Sequence, residues 1–273
     1  MQPLADMPDS VRREIRGVLT DIDDTLSTHG RVGAQAYAAM ERLRFARRLV
    51  VAVTGRPAGW CDHIARMWPV DAIIGENGAL YMIYDGAAKK LRSHYAQGKS
   101  ERRRDRERLS AIAQRILREV PGSALASDQP YRETDLAIDY CEDVAPLPRE
   151  SVDRIADIMR TEGMKSKVSS IHVNGWFGDY DKLSMTRTLL EREFSTDLEA
   201  DRKRFVFVGD SPNDAPMFAF FPCSVGVANI RAFADRIATP PRYVTALACG
   251  EGFAELADFL LGAPATEPSS SAR

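Results

Sequence analysis

Short apolar runs of four or five residues recur along the chain, separated by stretches in which apolar residues keep a helical spacing. Gly17-Val18-Leu19-Thr20, Leu49-Val50-Val51-Ala52-Val53, Phe205-Val206-Phe207-Val208 and Ser224-Val225-Gly226-Val227 are β-branched or aromatic runs bounded by Gly or Asp. A strand wetted on one face alternates apolar and polar residues. A run without alternation predicts a strand covered on both faces, as in a parallel sheet. Residues 35–48 and 182–194 are long enough for crossover helices. The order of these elements predicts an α/β core built on a doubly wound parallel sheet.

The middle of the chain has a different rhythm. Residues 99–108, KSERRRDRER, carry six basic and three acidic side chains. An amphipathic helix follows, with Leu109, Ile112, Ala113, Ile116 and Leu117 on one face. Leu136, Ile138 and Tyr140 alternate with Ala137 and Asp139, which predicts a half-exposed antiparallel strand. Val152, Ile155 and Met159 share the face of a second helix that ends at Gly163, and 168–173 reads as a further strand. Residues 98–179 therefore read as an α+β cap inserted into the core, whose two parts are 1–97 and 180–263. The last residues, 264–273, are rich in Pro, Ser and Ala and read as a disordered tail. The sequence shows no internal repeat.

At 273 residues the chain accommodates one large α/β domain, or a core with a smaller companion. A net charge of -2 provides no overall basic field for nucleic acid or an anionic membrane. The basic run at 99–108 has interleaved acids and no aromatic residue, the composition of a solvated helix rather than a nucleic-acid surface. No apolar run approaches the ~20 residues that span a bilayer, and residues 1–16 lack the apolar core of a signal peptide. Cys61, Cys141, Cys223 and Cys249 are far apart and form no metal-ligand pattern. These features predict a cytoplasmic protein with reduced thiols and neither nucleic acid nor membrane as a partner. Nothing in them sets an oligomeric state.

Candidate chemistry gathers where the strands end, which is where open α/β sheets bind ligands. Asp21-Ile22-Asp23-Asp24-Thr25-Leu26 follows the first strand. On extended backbone Asp21 and Asp23 start on the same side, and two close carboxylates call for a cation. Mg²⁺ is the hard, oxygen-seeking candidate. One carboxylate can attack phosphorus while the other handles a proton; a solvated acidic turn is the plainer alternative. Thr54-Gly55-Arg56 closes the second strand, and its hydroxyl and glycine N–H can hold a phosphate oxygen, or simply form a turn. Lys182 sits at the positive end of a predicted helix, a place that usually favours carboxylates, which hints at an anionic ligand. Gly209-Asp210-Ser211-Pro212-Asn213-Asp214 crowds oxygen-bearing side chains into a strand-to-helix turn, for metal ligation or for capping.

In this order and placement the four clusters resemble the motifs of the haloacid dehalogenase superfamily of phosphohydrolases. Gly75-Glu76-Asn77-Gly78-Ala79 and the large insertion between the second and third motifs resemble its type IIB subfamily, which includes sucrose-phosphate, trehalose-phosphate and mannosyl-3-phosphoglycerate phosphatases and the Cof-like sugar phosphatases. The resemblance covers most of 15–262. It implies a Rossmann-like parallel core and a phosphomonoester hydrolase acting through an aspartyl phosphate on a phosphorylated sugar or similar small metabolite. It also implies roles. Asp21 attacks phosphorus; Asp23 protonates the leaving oxygen and then activates water. Mg²⁺ is held by Asp21, the Asp23 carbonyl and Asp210, with Asn213 and Asp214 in support. Thr54, the Gly55 N–H and Lys182 bind phosphoryl oxygens.

Arg56, Asn77, His172, Asn174 and Trp176 are candidates for substrate contact. Trp176 can stack on a sugar ring, or His172, Asn174 and Trp176 can pack the cap and its hinge. Gly175 and Gly178 can let the cap swing. A sugar phosphomutase, a dehalogenase and a catalytically silent binding module are the rival readings. Asp23 argues against the dehalogenase, and the complete motif set against the silent module.

Overall fold

In a computed structural model of the protein, residues 1–169 and 171–262 are described. The tail expected over 264–273 lies outside them. The apolar runs form the strands Gly17–Thr20, Leu49–Val53, Phe205–Gly209 and Cys223–Gly226, and the intervening stretches form the helices Ala34–Phe45 and Lys182–Phe194. Among the described residues no helix is long and apolar enough to cross a membrane. The chain divides into two compact units.

The first unit comprises Met1–Ala52, Trp68–Asp71 and the described residues from Thr196 onward. Its strands lie in the order Gln2–Pro3, Tyr243–Val244, Cys223–Gly226, Phe205–Gly209, Gly17–Thr20 and Leu49–Val53, each parallel to the next. Gly17–Thr20, Phe205–Gly209 and Cys223–Gly226 are buried throughout, the outcome expected of runs that never alternate. Ala36, Ala39, Met40 and Leu43, spaced one helical turn apart, form the buried stripe of Ala34–Phe45, which packs on Cys249–Leu261. Thr20 pairs with Val208, so the chain leaves these two neighbouring strands side by side, at Asp21 and Asp210.

The second unit comprises Val53–Met67 and Ala72–Ser195. The strands Ala72–Gly75, Leu80–Asp85 and Lys90–Tyr95 form an antiparallel meander. A separate antiparallel sheet runs Lys165–Val168, His172–Trp176, Asp135–Asp139, Ala124–Leu125. Its core with the helices Lys99–Glu119 and Arg149–Thr161 includes Leu109, Ile116, Leu136, Ile138, Ile155, Met159 and Val173. The basic run and the amphipathic segment after it belong to one helix. Along it Arg108 lies over the Phe177 ring, Arg102 lies over the Tyr95 ring, and Arg106 pairs with Glu133.

Three details differ from the sequence reading. The strand Asp135–Asp139 is buried on both faces, not one. Leu136 and Ile138 meet the apolar core, while Asp135 pairs with Arg132 and the Asp139 carboxylate accepts the N–H groups of Cys141, Glu142 and Asp143. A satisfied polar face can be buried, and the alternation looks the same either way. Residues 168–173 are not one strand: Lys165–Val168 and His172–Trp176 pair as a hairpin, and Ser169 Oγ accepts the His172 N–H at 3.0 Å. Gly175 is no hinge. It is paired on both sides, to Leu136 and Ser166, and a Cβ there would lie 2.6 Å from the Met159 sulfur.

Candidate active site

In the first unit, the ends of Gly17–Thr20 and Phe205–Gly209 bring together Asp21, Asp210 and Asp214. All three are buried, and one carboxylate oxygen of each lies within 4.8 Å of the other two. Backbone pairing sets this up, because the Asp21 N–H donates to the Val208 carbonyl at 2.9 Å. After Gly209 the chain turns through Ser211 and a short 3-10 segment, Pro212–Asp214, which returns Asp214 beneath the strand end. Only a glycine at 209 leaves room for it: a Cβ there would sit 2.4 Å from Asp214 Oδ2. Thr25 donates its hydroxyl to Asp210 at 3.4 Å. The Asp24 backbone takes the left-handed conformation, and its carbonyl accepts the Asn229 amide at 3.0 Å. Asn213 accepts the Ser211 hydroxyl at 2.8 Å.

Three buried carboxylates this close repel one another, and a small dication relieves that repulsion. An all-oxygen, all-anionic donor set suits a hard cation such as Mg²⁺. The third carboxylate of the cluster is Asp214. Asp23, although only two residues from Asp21, is not in it and stays partly exposed.

In the second unit the turn Glu76–Gly78 organises the other motif residues. Thr54 is buried, and its carbonyl accepts the Asn77 N–H at 3.1 Å. Asn77 covers Gly55, where a Cβ would lie 3.2 Å from its side-chain amide. Gly78, at φ +103°, backs onto the start of the Lys182–Phe194 helix. Thr54, Gly55 and Lys182 thus flank a single turn. Lys182 is buried in the first helical turn, and the N-cap Asp181 accepts the Ser184 N–H at 2.7 Å. This helix keeps a carboxylate at its positive end as the cap, and the lysine follows it.

A buried ionic network surrounds Thr54-Gly55-Arg56. Arg56 bonds Asp128 at 3.4 Å and Glu142 at 3.1 Å, and lies over the Trp60 ring. His172 Nε2 lies 2.8 Å from the other oxygen of Glu142. The close approach of His172, with Arg56 beside it, brings the Glu142 carboxyl down to about 2. Asn174 donates to Asp135 at 3.0 Å, and Asp135 and Asp128 together enclose the buried Arg132. Burial works to lower the Arg132 pKa, but the charges of Asp135 and Asp128 outweigh it and hold it above its ordinary value. Trp176 is 1% exposed; its indole N–H donates to the Tyr180 carbonyl at 3.2 Å and its ring stacks on Tyr180. That is a packing environment.

Sequence reasoning missed Glu76, Asp128, Arg132, Asp135 and Glu142. Glu76 is fully buried, and its carboxylate accepts the N–H groups of Ala58, Glu133 and Thr134 and the Thr134 hydroxyl. Burial, reinforced by the Asp135 charge, raises its pKa to about 7 against those hydrogen bonds. Its place inside Gly75-Glu76-Asn77-Gly78-Ala79 was the one available signal.

No protein-family model matches the chain. The phosphoglycolate phosphatase of Methanothrix thermoacetophila is 28% identical over 260 residues, covering 91% of this chain and 98% of that protein. Among solved structures, the trehalose-6-phosphate phosphatase C-terminal domain of C. albicans shares the fold with a TM-score of 0.69 at 13% identity, covering 97% of this chain and 99% of that one. A haloacid dehalogenase-like hydrolase from Bacteroides thetaiotaomicron does so with a TM-score of 0.61 at 17% identity, covering 89% and 98%. The chain is thus similar to a phosphatase along nearly its whole length, and it shares the fold of haloacid dehalogenase-like hydrolases.

Proposed function

We propose that this phosphatase is Mg²⁺-dependent and works through an aspartyl phosphate on a small phosphorylated metabolite. The observation that carries the reading is the cluster of Asp21, Asp210 and Asp214 at two neighbouring strand ends. Three carboxylates gathered this closely form a set of oxygen donors for a cation, and phosphoryl transfer needs a cation to offset the charge of its substrate. Asp21, Asp210 and Asp214 are the residues that would hold Mg²⁺, with the Asp23 carbonyl. When bound, it supplies charge neutralisation at the phosphoryl group.

The residues divide the chemistry as follows. An Asp21 carboxylate oxygen forms a bond to phosphorus as the ester P–O bond breaks, and Asp23 gives its proton to the leaving oxygen. Asp23 then takes a proton from water, whose oxygen attacks the aspartyl phosphate and releases inorganic phosphate and free Asp21. Asp23 suits proton exchange because it stands outside the carboxylate cluster. Thr54, the Gly55 N–H and Lys182 hold phosphoryl oxygens, and their common placement around Glu76–Gly78 supports that reading.

Residues 98–179 act as a cap that contacts the leaving group. The helices and sheet of this segment have their own apolar core, which supports treating it as a separate substrate-selecting part. The relatives suggest either a sugar phosphate or a small phosphorylated carboxylic acid. Widely spaced cysteines suit a cytoplasmic setting.

Mass spectrometry of protein quenched after mixing with substrate tests the mechanism. Asp23→Asn accumulates an adduct of phosphate mass on Asp21, and Asp21→Asn accumulates none. An adduct on Asp23 reverses the assignment, and wild-type turnover by Asp21→Asn ends the covalent mechanism.

A further inference from the structure

Arg132 is almost completely buried, yet it reaches a main-chain atom of the Thr54-Gly55-Arg56 loop. Its Nη1 donates to the Gly55 carbonyl at 2.9 Å and to Asp135 at 2.9 Å, while Nε and Nη2 engage Asp128 at 3.0 and 3.1 Å. The N–H at the other end of the same peptide, that of Arg56, donates to Thr54 Oγ1 at 3.0 Å. The Gly55–Arg56 peptide is therefore held at both ends, by Arg132 at its oxygen and by the Thr54 hydroxyl at its nitrogen. Glycine is the residue least able to keep one backbone conformation unaided, so an outside clamp has a use here.

The clamp also decides what Thr54 can do. With its oxygen accepting from Arg56, the Thr54 hydroxyl is left to act as a donor, and among the described residues no acceptor takes its proton. A phosphoryl oxygen is an acceptor without hydrogens of its own, the complement of that donor. If the peptide rotates, the Arg56 N–H leaves Thr54 and the hydroxyl is free to turn elsewhere.

We propose that Arg132 is a positioning residue for phosphoryl binding: by fixing the Gly55–Arg56 peptide it holds the Thr54 hydroxyl as a donor toward the phosphoryl group. The inference rests on the reading of Thr54 and Gly55 as phosphoryl ligands. A fork of five N–H donors is needed to bond Gly55, Asp128 and Asp135 together; a lysine ammonium keeps the charge between the two carboxylates but cannot span all three.

The test uses the full chain with Mg²⁺, p-nitrophenyl phosphate as substrate and orthovanadate as competitive probe. Arg132→Lys is expected to weaken vanadate inhibition and lower kcat/KM by roughly 10–100-fold, because small misplacements of binding groups have effects of that size. Thr54→Ala alone shows a comparable loss, and the double variant loses little more than either single one, since Arg132 acts through Thr54. Amide exchange gives a second readout on whatever fraction is folded: in Arg132→Lys the Arg56 N–H exchanges faster, while Ile138 and Val173 in the neighbouring sheet keep wild-type protection. Losses that add fully in the double variant, or unchanged vanadate inhibition in Arg132→Lys, overturn the proposal. Failure of the underlying reading looks different, because Thr54→Ala itself then leaves vanadate inhibition unchanged.

Discussion

Gly78 backs onto Asp181 so closely that a Cβ on it would lie 2.1 Å from the Asp181 carbonyl oxygen and 2.8 Å from the Lys182 nitrogen. The close approach is what seats the first turn of the Lys182–Phe194 helix against the Glu76–Gly78 turn. Gly78→Ala meets backbone rather than a movable side chain, at a φ of +103° that alanine adopts poorly. The variant is expected to lose about 2 kcal/mol or more of stability, read as a lower urea midpoint. The folded protein is expected to show a raised KM as Lys182 shifts. A midpoint and KM both equal to wild type would remove the close approach as a determinant of Lys182 placement.

Cation binding is expected to show in stability as well as in turnover. A ligand that binds only the folded state raises stability by ~2.7 kcal/mol at a hundred times its dissociation constant. Mg²⁺ should therefore raise the melting temperature of the wild type, and Asp210→Asn should abolish that rise. EDTA should stop hydrolysis and added Mg²⁺ restore it. Equal thermal shifts in wild type and Asp210→Asn would place the cation elsewhere.

Glu76 gives stability a pH dependence of definite sign. Its folded-state pKa of about 7 lies above its ordinary value of 4.5, chiefly through burial. A group raised in this way favours folding below its unfolded pKa, and the contribution fades as pH rises through about 7. The window spans pH ~4.5 to ~7, and the effect is on the order of 3 kcal/mol at ~1.4 kcal/mol per pH unit. Glu76→Gln does not titrate. Urea unfolding at pH 5 and pH 8 should show the wild type losing more stability over that interval than the variant; parallel losses would place the raised pKa on another group.

Trp176 separates packing from recognition. Truncating a buried tryptophan typically removes ~3–5 kcal/mol, so Trp176→Ala should unfold at much lower denaturant. Trp176→Phe keeps an aromatic group but is smaller and loses the bond to the Tyr180 carbonyl, so it should cost less than Trp176→Ala yet more than the ~1 kcal/mol of the bond alone. In both variants the ranking of phosphorylated sugars and acids as substrates should stay that of the wild type. A changed ranking with unchanged stability would show a contact with substrate instead.

The sequence by itself determined the parallel core strands, the helices at 34–45 and 182–194, and the strand-end places of Asp21 and Asp210. Each is set by local physics: unbroken apolar runs demand cover on both faces, helical stripes need a partner, and a strand's last residue announces the loop after it. Tertiary structure alone decided which carboxylates meet. Asp214, 193 positions after Asp21, joins the cluster because 3-10 turn geometry and the absence of a side chain on Gly209 permit it, whereas neighbouring Asp23 does not. It alone decided that Asp135–Asp139 is buried on both faces, since a paired carboxylate and a solvated one alternate identically along a chain. The clamp from Arg132 to Gly55 joins residues 77 positions apart through one carbonyl, and no pattern of side-chain types records which main-chain oxygen a buried guanidinium will reach.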